Sequence, residues 1–236
     1  MRRLGKILIV FILTISCSED PIELDFGYAY QPLRVGLSWV YGVEETSIVQ
    51  SIETTLRYEL KVTLIDSFKT DAGIYSYWLQ RQTRSDESQS WMELDTWSVQ
   101  QTANQLIQNE SNITFVKLVF PPATGVTWNG NQYNNLAKNG NIFNGQGSEF
   151  YLLADVGEAI ELPFGQRFEK TLTVIHNDFE DAIVGQDKRY EVFAEGVGLI
   201  YKEVNQLEYC STPACLGQQK VDRGVIYKQT LKSHAW

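Results

Sequence analysis

Histidine, cysteine and proline are all scarce in this 236-residue sequence: it holds 2 His, 3 Cys and 6 Pro. So few histidines and cysteines leave little for a zinc site and almost nothing for a cysteine- or serine-type catalytic triad. The low proline content, with 43% hydrophobic residues, argues against a disordered or low-complexity scaffold. Basic residues are also in deficit, 20 against 29 acidic, for a formal charge of −9 and a pI near 4.8. Phosphate recognition needs a surface rich in lysine and arginine, so no nucleic-acid partner is expected. No Gly-x-Ser-x-Gly elbow, phosphate loop or dinucleotide fingerprint is found. Neither a metal, a cofactor nor a catalytic residue is therefore expected from any local motif.

A spanning run of about twenty apolar residues is missing too. The nearest approach is at the start, where Arg2, Arg3 and Lys6 precede the nine-residue stretch Ile7 to Ile15 and then Ser16-Cys17. A basic segment followed by a short apolar one has the arrangement of a secretory signal peptide. The cysteine directly after it resembles a bacterial lipoprotein signal, with Thr14-Ile15-Ser16 a loose version of the usual leucine-small-small triplet. That resemblance implies a signal at residues 1–16, lipid on Cys17 as the mature N-terminus, and a lipidated tether over 17–30. Removing the signal takes away three basic side chains and leaves a formal charge of −12. Ser18 resembles outer-membrane sorting, and Glu19-Asp20 resembles the surface-export signals of Bacteroidota lipoproteins. The expected location is the outer membrane, facing the periplasm or the cell surface, with the membrane engaged through Cys17.

Beyond the tether the sequence reads as strands. Leu56, Tyr58, Leu60, Val62 and Leu64 alternate with Thr55, Arg57, Glu59, Lys61 and Thr63, the period of a half-buried antiparallel strand. Further strands are expected at Ile74 to Arg84, Trp91 to Val99, Ile113 to Phe120, around 168–175, Val197 to Tyr209 and Val221 to Leu231. Pro121-Pro122 ends one strand and Asn129-Gly130-Asn131 marks a turn. Residues 134–148, rich in asparagine and glycine, predict a long loop. No stretch sustains a helical period. Residues 31–236 are thus expected to form a single all-β, largely antiparallel domain of roughly ten strands, a curved half-barrel or two-layer arrangement.

Three stretches carry a resemblance. Tyr30-Gln31-Pro32-Leu33-Arg34-Val35-Gly36-Leu37-Ser38-Trp39-Val40-Tyr41 resembles the opening of a group of uncharacterised Bacteroidota lipoproteins, departing from it at Leu37, where asparagine is usual. Phe115 to Pro121 with Trp128-Asn129-Gly130 is similar to the middle of that group. Phe193-Ala194-Glu195-Gly196-Val197-Gly198-Leu199-Ile200-Tyr201-Lys202-Glu203 resembles a module near the end of secreted bacterial β proteins. The resemblance implies a location and an antiparallel β fold, and no activity. Structural roles account for these residues: Gly196 and Gly198 suit a sharp bend, and Trp39 and Tyr41 share one strand face with polar tips.

The remaining candidates each have an ordinary reading. Cys210 and Cys215 flank a turn at Pro213, and in an oxidising envelope they are expected to pair, worth about 2 kcal/mol for so short a ring. His176, with Asn177, Asp178, Glu180 and Asp181, has the chemistry of a metal or base site but is expected in a solvated acidic loop; His234 is expected to fray near the end. Asp66, Asp86, Glu87, Glu93 and Asp95 are among many carboxylates that could supply a glycosidase pair, and Asn112-Ile113-Thr114 matches a glycosylation sequon by chance. The 29 aromatic residues are expected mainly in the core, some of them lining an apolar groove without converging carboxylates. The expected function is a non-catalytic envelope lipoprotein that binds a hydrophobic ligand or acts as an envelope assembly partner. The alternative is a glycan-binding or glycan-hydrolysing surface lipoprotein.

Anchoring is directly testable. Intact mass should give a chain starting at Cys17 with added lipid, and Cys17→Ser should leave the membrane fraction. Membrane association of that variant, unchanged, would refute the lipid anchor.

Overall fold

The computed structural model describes residues 25–134, 150–163 and 165–235. The expected signal at 1–16, Cys17 with the tether as far as residue 24, and all of the expected long loop after Asn134 lie outside these residues. Twelve strands follow a 3-10 turn at Tyr28–Tyr30: β1 (Ser38–Val49), β2 (Ile52–Lys69), β3 (Tyr75–Arg84), β4 (Met92–Gln101), β5 (Gln105–Glu110) and β6 (Ile113–Val119) in the first half. The second half holds β7 (Thr127–Asn129), β8 (Phe150–Glu161), β9 (Arg167–Asp181), β10 (Gly185–Ala194), β11 (Gly198–Tyr209) and β12 (Val221–Ala235). All belong to one antiparallel sheet that curves into a nearly closed barrel. The expected all-β antiparallel domain is therefore present, with twelve strands rather than roughly ten.

The sheet order β6-β5-β4-β3-β2-β1-β12-β11-β10-β9-β8-β7 is an up-and-down meander whose two ends of chain meet in the middle. Every strand pairs with its sequence neighbour, β1 also pairs with β12, and the seam falls between β6 and β7. Among the described residues the seam has no ladder and is joined by single contacts. Val116 N–H donates to the Gly130 carbonyl at 2.9 Å, Trp128 Nε1 to the Val116 carbonyl at 2.8 Å, and Asn134 Nδ2 to the Thr114 carbonyl at 2.7 Å. Short β7, only three residues long, gives little edge to pair. His234, expected to fray, lies opposite Trp39 in the β1–β12 ladder.

One end of the barrel is closed by residues 25–37. Gly196 N–H donates to the Ala29 carbonyl on one side, and Tyr28 OH donates to the Ala103 carbonyl on the other. Tyr30 is buried, Tyr28 packs edge-on against Phe120, and a Cβ on Gly27 would lie 2.4 Å from Pro122 Cδ. Glycine at φ 75° lets the chain pass Pro122 at this distance. Trp39 and Tyr41 then enter the core on one face of β1, as the sequence implies, and their polar tips bind the β10–β11 turn. Trp39 Nε1 donates to the Val197 carbonyl at 2.6 Å and Tyr41 OH to the Leu199 carbonyl at 3.0 Å. The opening and closing stretches that carry the sequence resemblance thus meet in space. Gly196 and Gly198, at φ 75° and 102°, make the turn that offers these carbonyls.

The period-two row on β2 points into the barrel, but its members differ in burial. Leu60 and Leu64 are buried, whereas Leu56 is 60% exposed because β1 and β2 continue past the core. At that far end the Cys210–Cys215 disulfide ties the β11–β12 connection, with Cα atoms 5.8 Å apart. The hydrogen bond from Trp39 to Val197 is testable: Trp39→Phe should cost about 1–3 kcal/mol, because a carbonyl loses its donor and the core loses area. Urea unfolding should show a lower midpoint with an unchanged slope. An unchanged midpoint would mean the contact contributes nothing.

Candidate functional site

A twelve-stranded barrel is wider than side chains alone fill, since about eight strands already give an interior that side chains or one small ligand occupy. The interior accordingly contains a cavity of about 430 Å³, within the usual range for small-molecule sites. Its composition changes along the barrel axis, and the strand register shows how. Nearest the closed end, Trp39 faces Val62, and the next row brings Tyr41 against Leu60 and Leu231. One row further out, Tyr58, Val43, Gln229, Lys202 and Glu191 lie side by side across β2, β1, β12, β11 and β10. The following row runs Leu56, Glu45, Tyr227, Val204 and Arg189. An apolar floor therefore gives way to a charged collar. Exposure follows the same direction: along β12 Leu231 is 3% exposed, Gln229 5% and Val225 36%. Among the described residues, the cavity opens away from the end closed by 25–37.

Glu191 is the centre of the collar. Its side chain is 2% exposed, and Oε1 lies 2.7 Å from Lys117 Nζ and 3.3 Å from Lys202 Nζ. Lys202 is its ladder neighbour on β11, but the other two partners arrive by irregularities. Leu106 faces Leu118 and Ile107 faces Val116, so Lys117 is an extra residue in β6. Arg189 faces Asn177 and Tyr190 faces Ile175, so His176 is the extra residue in β9. A β-bulge re-aims a side chain that regular alternation would send elsewhere. Two bulges on separate strands thus converge on one carboxylate.

The electrostatics follow from burial and this pairing. Burial alone would raise the Glu191 pKa, but Lys117, Lys202 and His176 outweigh it and hold the group well below the usual carboxylate range. Glu110, which accepts from Gln108 Nε2 at 2.9 Å and lies 3.4 Å from Lys117 Nζ, is likewise lowered against its burial by Lys117 and Lys202. Lys117 is raised, because Glu191 and Glu110 overcome its desolvation. His176 is lowered: burial disfavours the imidazolium more than Glu191 favours it. Its ring stacks on Tyr151 at 4.2 Å, and Nε2 lies 3.4 Å from Glu191 Oε2 without hydrogen-bond geometry, leaving both atoms unsatisfied. His176 is therefore a neutral interior residue, and 176–181 belongs to strand β9. The solvated acidic loop expected from the sequence is overturned, because the bulge turns the histidine inward.

The carboxylates singled out in the sequence do not gather here. Asp86 and Glu87 sit in the β3–β4 turn, and Asp95 holds Arg81 at 3.0 Å while Arg81 stacks 3.7 Å over Trp97. The converging pair is Glu110 and Glu191, which the expected groove did not include. Both lie within 3.4 Å of one ammonium, so they are no further apart than glycoside hydrolysis requires, about 10 Å at most. A glycosidase needs one carboxyl protonated near neutral pH. Here lysines lower both groups, so neither shows the raised pKa of a general acid. Among the described residues no three His, Cys, Asp or Glu side chains are grouped to hold a metal ion. A second concavity lies on the outer face, but its charges are satisfied: Glu44 pairs with Arg57, and Glu59 with Arg84 and Lys232.

No protein-family model matches the chain, and no curated protein matches it. Among solved structures it is similar to one from Bacteroides fragilis, provisionally assigned as an exported protein with YmcC-like fold. That likeness has 8% identity and a TM-score of 0.42, over 87% of this chain and 98% of the other. A protein from Parabacteroides distasonis, provisionally assigned as a lipoprotein, has 10% identity and a TM-score of 0.40 over the same shares.

The collar generates a pH prediction. The unfolded chain binds a proton at His176 near pH 6.5, while the folded chain resists it. This contribution to stability is therefore complete above pH 6.5 and declines as pH falls toward the lower folded value, by at most about 1.4 kcal/mol per pH unit. His176→Phe keeps a ring on Tyr151 and should flatten the urea midpoint between pH 7 and 5.5. An equally steep decline in the variant would exclude His176 as its source.

Proposed function

We propose that this protein is a non-catalytic outer-membrane lipoprotein, anchored through Cys17, whose barrel binds a hydrophobic ligand. The observation that carries the reading is the cavity, with Trp39, Leu60, Val62, Leu79, Phe193 and Leu199 among its apolar walls. Apolar concavities of this size that keep a few fixed polar groups are the usual form of a small-molecule site. The ionised Glu110–Glu191 pair weighs against the glycan-hydrolase alternative. Anchoring and opening are also compatible. Asp25 lies eight residue steps after Cys17, a reach of at most about 29 Å. A lipid at Cys17 would keep the closed end near the membrane, with the mouth turned away from it.

The test is binding of the neutral fluorophore N-phenyl-1-naphthylamine to the full chain in lipid nanodiscs, with empty discs as blank. Fluorescence should rise above the blank and saturate. Leu79→Trp, which fills the floor, should weaken binding at least tenfold while circular dichroism is unchanged. No rise above the blank would defeat the ligand reading.

A further inference from the structure

The charged groups around the cavity are unequally satisfied, and the inequality has a sign. Among the described residues three carboxylates line it, and each accepts a hydrogen bond from a protein donor; the one oxygen among them left unsatisfied and buried, Glu191 Oε2, lies against His176 and out of reach of solvent. Glu45 accepts from Tyr58 OH at 3.3 Å, Glu110 from Gln108 Nε2 at 2.9 Å, and Glu191 from Lys117 Nζ at 2.7 Å. Three cations line it as well. Arg81 donates to both oxygens of Asp95, at 3.2 and 3.0 Å, and Lys117 donates to Glu191 and Glu110. Lys202 differs. Its nearest charge is Glu191 Oε1 at 3.3 Å, the oxygen that Lys117 already holds more closely, and among the described residues its ammonium makes no hydrogen bond. The side chain is only 24% exposed, so water has limited access to its three donors. An ammonium in that position favours an incoming acceptor, and an anionic one most.

Lys202 also stands at a defined height. It shares a row with Gln229 and Glu191, immediately above the apolar rows of Tyr41 with Leu60 and Trp39 with Val62. A ligand that satisfied Lys202 would extend its remainder into the apolar floor formed by Leu60, Val62, Leu79 and Leu199. That arrangement selects an amphiphile with its head toward the mouth and its tail toward the closed end. Resting on the ligand-binding reading above, we propose that the cavity takes a single acyl chain ending in a carboxylate, with the carboxylate bound by Lys202 and neighbouring Gln229 supplying an amide. Lys117 is committed to its two glutamates and holds the collar rather than the ligand.

The experiment compares three dodecyl probes brominated at the chain end, the carboxylic acid, the alcohol and the amine, by quenching of tryptophan fluorescence. The full chain in nanodiscs is titrated at measured free aqueous concentrations, with wild type beside Lys202→Gln. The acid should bind wild type about tenfold or more tightly than the alcohol, the gain expected of a charge-assisted hydrogen bond. In Lys202→Gln the acid should fall to the level of the alcohol, and the alcohol should bind as in wild type, which also shows that the variant is folded. Equal binding of acid and alcohol to wild type, or tighter binding of the amine, overturns the head-group assignment while leaving the cavity as a hydrophobic site. Acid binding unchanged by Lys202→Gln overturns the role of Lys202. Failure of all three probes to quench wild type defeats the ligand reading itself.

Discussion

The carboxylate of Glu191 sits at 2% exposure inside the barrel, and much of the interior is arranged around that charge. Moving a lone carboxylate out of water costs several kcal/mol even after relaxation. The fold offsets this with Lys117 and Lys202, and it does so at the expense of regular sheet structure. Each of the two bulges, at Lys117 and at His176, leaves an extra residue in a ladder. The pair of lysines is balanced by Glu191 and Glu110, so the interior gains no net charge while His176 remains neutral. Apolar residues of similar volume would often be as stable as such a network. Its value in this fold is positional: it ties β6, β10 and β11 to one another across the barrel interior.

The same width explains why the ends of the chain matter. A twelve-stranded meander could leave its opening anywhere, and pairing β1 with β12 moves it to β6 and β7. The 18-residue β2 and the 15-residue β12 then flank β1, while the shortest strands, β5, β6 and β7, lie at the seam. Trp39 and Tyr41 reinforce the joined side by donating to the β10–β11 turn and the start of β11, one strand beyond their ladder partner β12. Residues 25–37 close that end. The barrel is thus tight where its chain begins and open where the strands overrun the core, a polarity set by connectivity before any ligand is considered.

This polarity decides what was legible in the sequence. Strands with an apolar row, such as β2 and β12, were readable, as were the turns at Pro121 and Gly196. Strand β10 was not, because Asp187, Arg189 and Glu191 occupy its inward positions and no hydrophobic alternation results. Asp155 and Gly157 both adopt positive φ within β8 and interrupt its period as well. The site was hidden for a related reason. Lys117 sits in the apolar run Phe115 to Phe120, where one lysine reads as a solvent-facing position, and only a bulge makes three consecutive residues buried. A bulge leaves no periodic mark. Lys202 did fall within a stretch singled out by resemblance, yet nothing local distinguishes an unsatisfied ammonium from an exposed one.

The proposed binding reading rests on the state of the charged groups rather than on their presence. Two carboxylates share a cavity, which by count and spacing would suit a hydrolase. Catalysis by such a pair depends on environments that push the two pKa values apart, so that one holds a proton. The bulged lysine draws both Glu110 and Glu191 downward rather than raising either. His176, stacked on Tyr151, adds to the lowering of Glu191 rather than opposing it. Lys202, paired with Glu191 but making no hydrogen bond among the described residues, is the least satisfied cation of the cavity, and it stands directly above the apolar floor.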